Sequence, residues 1–159
     1  MTNEENILNE LVNRFAFLKD KVKVQRERRL YAEVPYENFD NVFQYAIKDL
    51  KFSFLCTITG FDEIQTFGFM YHLARPAGIT LNLKTSVPKE TPIIKTITGY
   101  FPNADIYERE IEDLFGVKVE GLAPGKRYPL PDDWPAGSHP LRKDWKADTT
   151  KTKEPKTNA

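Results

Sequence analysis

Residues 107–116 gather four carboxylates, Glu108, Glu110, Glu112 and Asp113, around a single arginine, Arg109. If this stretch is helical, Tyr107, Ile111, Leu114 and Phe115 fall on one apolar stripe at i, i+4, i+7 and i+8, and the charged residues occupy the remaining surface. Two chemistries are open to such a helix. Glu108 or Glu110 could perform acid–base work with His72 or His139, which requires two such groups to converge on one pocket. Alternatively, the carboxylates form a charge-pairing surface. Asp113 falls in the last turn, where the negative end of the helix dipole disfavours a carboxylate, so a cation must approach it. Lys126, Arg127, Arg142 and Lys143 are candidates within the chain, and a partner protein is another source.

Other reactive side chains suggest less. His72 sits in an alternating, strand-like run between Tyr71 and Leu73, a setting typical of a packed or surface histidine. His139 lies before Pro140, with no second histidine or cysteine at metal-ligand spacing, so neither a catalytic triad nor a two-histidine metal site can be assembled from sequence. Cys56, flanked by Leu55, Thr57 and Ile58, is expected to be buried and to act as a small hydrophobe. As the one cysteine, it permits no internal disulfide and no thiolate-built iron–sulfur or zinc site. The glycines match no phosphate-cradling pattern. Arg26, Arg28 and Arg29 beside Tyr31 could touch nucleic acid, but 23 basic residues balanced by 23 acidic ones leave no surplus to displace counterions.

The elements that must position these residues are legible from periodicity. At 159 residues the chain suits one domain with a real core. Helices are predicted over residues 3–18, 36–50, 91–100 and 104–115. In the last, Asp105 and Glu108 read as a capping-box-like pair, and Thr91 followed by Pro92 reads as the start of the one before it. Strands are predicted over 22–24, 30–34, 52–62, 65–73 and 79–87, with 52–62 the most deeply buried. Short connections make neighbouring strands mostly antiparallel, so the fold class is α+β: two layers, a mixed but mostly antiparallel sheet, and helices on one face. Six prolines follow residue 123, and they argue against regular helix or central strand there. The expected organisation is a domain over 1–116, an extended proline-rich arm over 117–145 carrying Leu130, Trp134, Leu141 and Trp145 as anchors, and a flexible tail over 146–159. The start of the chain lacks the basic and apolar regions of a signal peptide, and no run approaches the roughly twenty apolar residues of a membrane span.

Two motifs carry a family resemblance. Glu108-Arg109-Glu110, then Asp113-Leu114-Phe115-Gly116, then Lys126-Arg127 is similar to the signature of the 30-kDa subunit family of respiratory complex I, the C-type subunit of NADH–quinone oxidoreductase. The run from His139 through Pro140, Leu141, Arg142 and Lys143 to Asp144 is similar to a second element of that family. The matching subunits of membrane-bound, energy-converting [NiFe] hydrogenases carry the same pattern, and the approach to the second motif resembles them more. One departure is Leu122, where the family usually has a histidine. The resemblance implies a non-catalytic subunit of an ion-translocating oxidoreductase, peripheral on the cytoplasmic side of the membrane. It implies no catalytic, cofactor-binding or metal-binding residue in this chain. Iron–sulfur clusters and the [NiFe] or quinone site are expected in partners, namely a large catalytic subunit of the 49-kDa or hydrogenase type and neighbouring iron–sulfur subunits. The residues expected to dock these partners are Glu108, Arg109, Glu110, Asp113, Lys126, Arg127, Trp134, His139, Arg142, Lys143, Asp144 and Trp145. The alternative is an independent soluble acid–base enzyme using Glu108 and Glu110 with His72 or His139.

Overall fold

A computed structural model describes residues 2–147. The predicted flexible tail therefore lies, from residue 148 onward, outside the described residues. Helix α1 (Asn3–Arg14) starts at the predicted residue, with Thr2 as its N-cap. Thr2 accepts from the Glu5 backbone N–H and Glu5 reaches back to the Thr2 N–H, a complete capping box. The predicted helix over 3–18 breaks at Phe15 into a short 3₁₀ turn, Ala16–Leu18, which buries Leu18. Strands β1 (Val22–Arg26) and β2 (Arg29–Glu33) form a hairpin, and α2 (Tyr36–Lys48) follows with Phe39, Val42, Phe43 and Ala46 buried on one stripe.

Strands β3 (Phe54–Asp62), β4 (Thr66–Arg75) and β5 (Ile79–Pro88) make an antiparallel meander, and β2 joins β5 in parallel. The sheet order is β1-β2-β5-β4-β3. The architecture is thus α+β with a mostly antiparallel sheet, as the pattern implied. The side-chain period of two separates its faces. Phe67, Phe69, Tyr71 and Leu73 of β4, with Ile79, Leu81 and Leu83 of β5, are buried on one face. Tyr71 touches Phe39 and Phe43 of α2, and Phe67 touches Phe115, so α2 and the last helix lie on that same face. The opposite face carries polar residues that pair across strands. Lys84 bridges Glu33 and Glu63, and the His72 ring lies between Asn82 Oδ1 (2.8 Å) and Thr59 Oγ1 (3.0 Å).

Three further expectations change. Residues 91–100 do not form a helix. Ile93–Lys95 is strand β6, paired in parallel with β7 (Lys118–Glu120) in a second, two-stranded sheet. The consecutive isoleucines favour a pleated strand once a partner is present, and that partner lies 25 positions away in sequence, beyond any local pattern. β3 proves to be an edge strand with Phe54, Cys56 and Thr59 exposed, so neither it nor Cys56 is buried as expected. Finally, helix α3 (Ala104–Phe115) has no side-chain cap: Asp105 pairs with Arg109, and Glu108 turns into the core.

Candidate functional site

Helix α3 lies along β3 and is held at three levels. Gly60 of β3 permits the closest approach, since a Cβ there would sit 2.9 Å from the Phe115 ring. At the first turns, Asn103 donates to the Leu55 carbonyl (3.1 Å) and the Tyr107 hydroxyl donates to the Cys56 carbonyl (3.0 Å). On the inner side Glu108 is fully buried and accepts from the Thr96 hydroxyl (2.6 Å) and the Ile97 N–H (2.7 Å). Burial pushes the Glu108 carboxyl above its ordinary range, against the lowering effect of those two donors, and the carboxylates of Asp105 and Glu112 add to the rise. The bond to Ile97 ties α3 to the chain leaving β6.

Arg109 makes a two-pronged contact with Asp105, at 2.9 and 2.8 Å, and also donates to the Ala123 carbonyl. Gly125 passes so close that a Cβ would meet the Arg109 guanidinium at 2.6 Å. Asp113, only 7% exposed, receives Arg127 Nε (2.9 Å) and Nη2 (2.5 Å) on one oxygen and the Leu130 N–H on the other. Its cation therefore comes from the chain itself. The planar fork of arginine suits this arrangement, and Arg127 still reaches the Trp134 carbonyl with Nη1 (3.1 Å).

The run from His139 to Trp145 closes over the C-terminal end of α3. Gly116, in the left-handed region at φ 69°, ends the helix, and a Cβ there would collide with His139 and Arg142. The open carbonyls of that last turn are then filled from the run. The His139 ring donates to the Asp113 carbonyl, the Leu141 N–H to the Leu114 carbonyl, and Arg142 Nε to the Phe115 carbonyl (2.6 Å). Arg142 also lies over the Phe67 ring at 5.2 Å. Trp134 and Trp145 stack at 6.3 Å, and both indole N–H groups converge on Ser138, one on its carbonyl and one on its hydroxyl.

One anchor of this run gave no signal in the sequence. Asp62, at the end of β3 and 6% exposed, accepts from Lys89 Nζ (2.7 Å), the Lys143 N–H (2.9 Å) and the Ile64 N–H (2.8 Å). Burial would raise its carboxyl, but these three donors outweigh that and hold it at about 2. Lys89 also pairs with Asp144 at 3.3 Å. The contact between Asp62 and Lys143 spans 81 positions, so nothing local announces it.

The predicted site residues thus divide. Glu108, Arg109, Asp113, Arg127, His139 and Arg142 hold the chain's own fold together, and Asp144 joins through Lys89. The side chains of Glu110 and Lys126 have no hydrogen-bond or ion-pair partner among the described residues. Glu108 converges with neither histidine: His72 lies on the open face of the sheet, Glu108 on the covered side, and His139 at the Asp113 carbonyl. Among the described residues, no group of three or more histidine, cysteine or acidic side chains is arranged to hold a metal ion, and no helix is long and apolar enough to cross a membrane.

Comparison with known proteins decides the family. Residues 32–151 match the family model of the respiratory-chain NADH dehydrogenase 30-kDa subunit. The chain belongs to that family. It is 30% identical to the C-type subunit of F(420)H(2) dehydrogenase of Methanosarcina mazei over 149 residues, covering 92% of this chain and 94% of that one. It is 28% identical to the beta subunit of the membrane-bound hydrogenase of Pyrococcus furiosus, with 92% and 88% covered. Its fold matches a chain of the archaeal membrane-bound sulfane sulfur reductase, a respiratory membrane complex, at a TM-score of 0.82 and 27% identity, with 94% and 89% covered. The family thus spans NADH-, F420H2- and hydrogenase-named complexes, and both motifs of this member, residues 108–127 and 139–144, lie inside the matched region.

Proposed function

We propose that this chain is a non-catalytic peripheral subunit of a membrane-bound, ion-translocating oxidoreductase, and that it docks onto the large catalytic subunit and helps organise the electron-transfer module. The observation that carries this is the near end-to-end match to subunits of such complexes, over 92% of the chain and 94% of a relative. The relatives' names carry different donors and acceptors, whereas this small domain is common to them. Its contribution is therefore structural, and the redox centres belong to its neighbours, on the cytoplasmic side of the membrane.

The docking surface comprises the outer side of α3 and residues 126–145. The internal bonds of α3 and the C-terminal run hold these parts as one rigid surface, so little conformational entropy is lost when a partner binds. That surface offers Glu110, Lys126, exposed Leu141 and the stacked tryptophans. Further support comes from the NADH–quinone oxidoreductase of Gluconacetobacter diazotrophicus, whose C/D polypeptide joins two subunit names in one chain. This protein is 45% identical to it over 74 residues and covers 12% of its length. A covalent link of that kind is compatible with two subunits that lie side by side.

The test is purification of the membrane complex through a tag on this chain, with its partners identified by mass spectrometry. Nickel in the large partner selects a hydrogenase, and a flavin-bearing, quinone-reducing assembly selects complex I. The doubly substituted chain, Trp134→Ala with Trp145→Ala, is expected to be lost from the complex. Co-purification in full yield would remove the tryptophan pair from the docking surface.

A further inference from the structure

The edge of the main sheet at β3 is only half closed. β3 ends the strand order, so one row of its backbone groups meets no further strand. The Glu63 N–H bonds to the Thr66 carbonyl at the turn, and the register Phe61↔Gly68 and Thr59↔Met70 continues from there. In an antiparallel ladder this directs the backbone groups of Phe61 and Thr59 towards β4, and those of Gly60 and Ile58 outward.

Helix α3 presents the stripe Asn103, Tyr107, Glu110 and Leu114 to this edge. Its first two members donate to the Leu55 and Cys56 carbonyls and close that half. The next two cannot. A carboxylate has no proton to give a carbonyl, and leucine has no polar group. The far end is closed again where Lys143 meets Asp62. Between these closures the edge stays open over residues 57–61. Two adjoining clefts of about 300 and 530 Å³ lie along it, sharing Gly60, Phe115 and Leu141. Leu141 is 51% exposed there, and Glu110 is a half-buried carboxylate with no partner among the described residues.

We propose that this gap receives a short extended segment of the neighbouring large subunit, added to β3 as a further strand. An apolar side chain of that segment covers Gly60 and Leu141, and a lysine or arginine meets Glu110. The proposal rests on the docking surface proposed above, with which the gap is continuous, because α3 and Leu141 border both. Main-chain bonds to Ile58 and Gly60 give the segment its grip, and the Glu110 charge fixes its register.

Hydrogen–deuterium exchange of the full chain, alone and within the purified membrane complex, tests this. Amides of residues 57–61 on the open edge are expected to exchange quickly in the free chain and more than an order of magnitude more slowly in the complex. Glu110→Lys is expected to weaken association about tenfold while leaving the thermal unfolding of the free chain unchanged. Rapid exchange at 57–61 in the complex, with residues 126–145 newly protected, would overturn the added strand and leave the docking surface standing. No new protection in either region would overturn both. Protection that appears on concentrating the free chain would make a second copy the occupant and overturn the assignment to the large subunit. Unchanged affinity of Glu110→Lys would overturn the charge pairing.

Discussion

Asp62→Asn isolates the contact that fastens the C-terminal run to the body. The native carboxylate takes three donors: Lys89 Nζ and the Lys143 N–H on one oxygen, the Ile64 N–H on the other. Asparagine can serve Ile64 but then turns its amide N–H₂ towards an ammonium and an N–H, donor against donor. A carboxyl that ordinarily titrates near 3.8 is held at about 2, which is worth about 2 kcal/mol of native stability after allowance for screening by nearby solvent. For a chain of this size that corresponds to a loss of about 4–8 °C in Tm. The sign with pH follows from the depressed value. The contribution is complete above the ordinary carboxylate range and disappears as pH falls from about 4 towards 2. Urea unfolding of the full chain at neutral pH and at several points below pH ~5 is the assay. Asp62→Asn is expected to have the lower midpoint at neutral pH, with the gap narrowing in acid and the Lys143 amide exchanging faster. Equal midpoints at neutral pH, or a gap that does not narrow in acid, would refute the assignment of Asp62 as the anchor.

Glu108 has the opposite sign. Its carboxyl is raised, so its contribution is present at low pH and is lost as pH climbs through the raised value. Glu108→Gln, with no charge to desolvate, is expected to gain stability relative to the native chain as pH rises from about 4 to 8, and parallel pH profiles would contradict this. Arg127→Met leaves the 7%-exposed Asp113 without its cation and is expected to cost about 3 kcal/mol in denaturant unfolding; a loss indistinguishable from zero would mean that Leu130 and solvent suffice. Gly60→Ala brings a methyl to 2.9 Å from the Phe115 ring and is expected to cost about 1–3 kcal/mol by overpacking, measurable as a fall in Tm. Unchanged stability would show that α3 can move off β3.

How much was legible depended on sequence distance. The α2 stripe and the alternation in β4 and β5 are local, and so the helix, the meander and the α+β class followed from periodicity alone. The single parallel pair of the second sheet, β6 with β7, escaped because a run as short as 93–95 fits a helical stripe as readily as a strand until Lys118–Glu120 lies beside it. Cys56 looked buried among apolar neighbours but is exposed, because β3 lies at the edge, and edge position is a property of strand order. For the site, the need of Asp113 for a cation could be inferred from its place in the last helical turn, and Arg127 was among the candidates named. That Glu108 faces Thr96 and Ile97, whereas Glu110 faces an open cleft, depends on which side of α3 meets the sheet.

Residue identities and short-range spacing suffice for the class of fold, the balanced charge, the lone cysteine and the two motifs that lie within the family match, because none of these depends on contacts distant in the chain. Tertiary structure alone decided which members of those motifs are turned inward. Glu108, Asp113, His139 and Arg142 bond to groups of their own chain, and Lys143 reaches Asp62 across 81 positions. The physical reason is that a buried polar group must find a partner wherever the fold brings one. A partner supplied by a distant strand or a returning loop leaves no trace in the residues beside it.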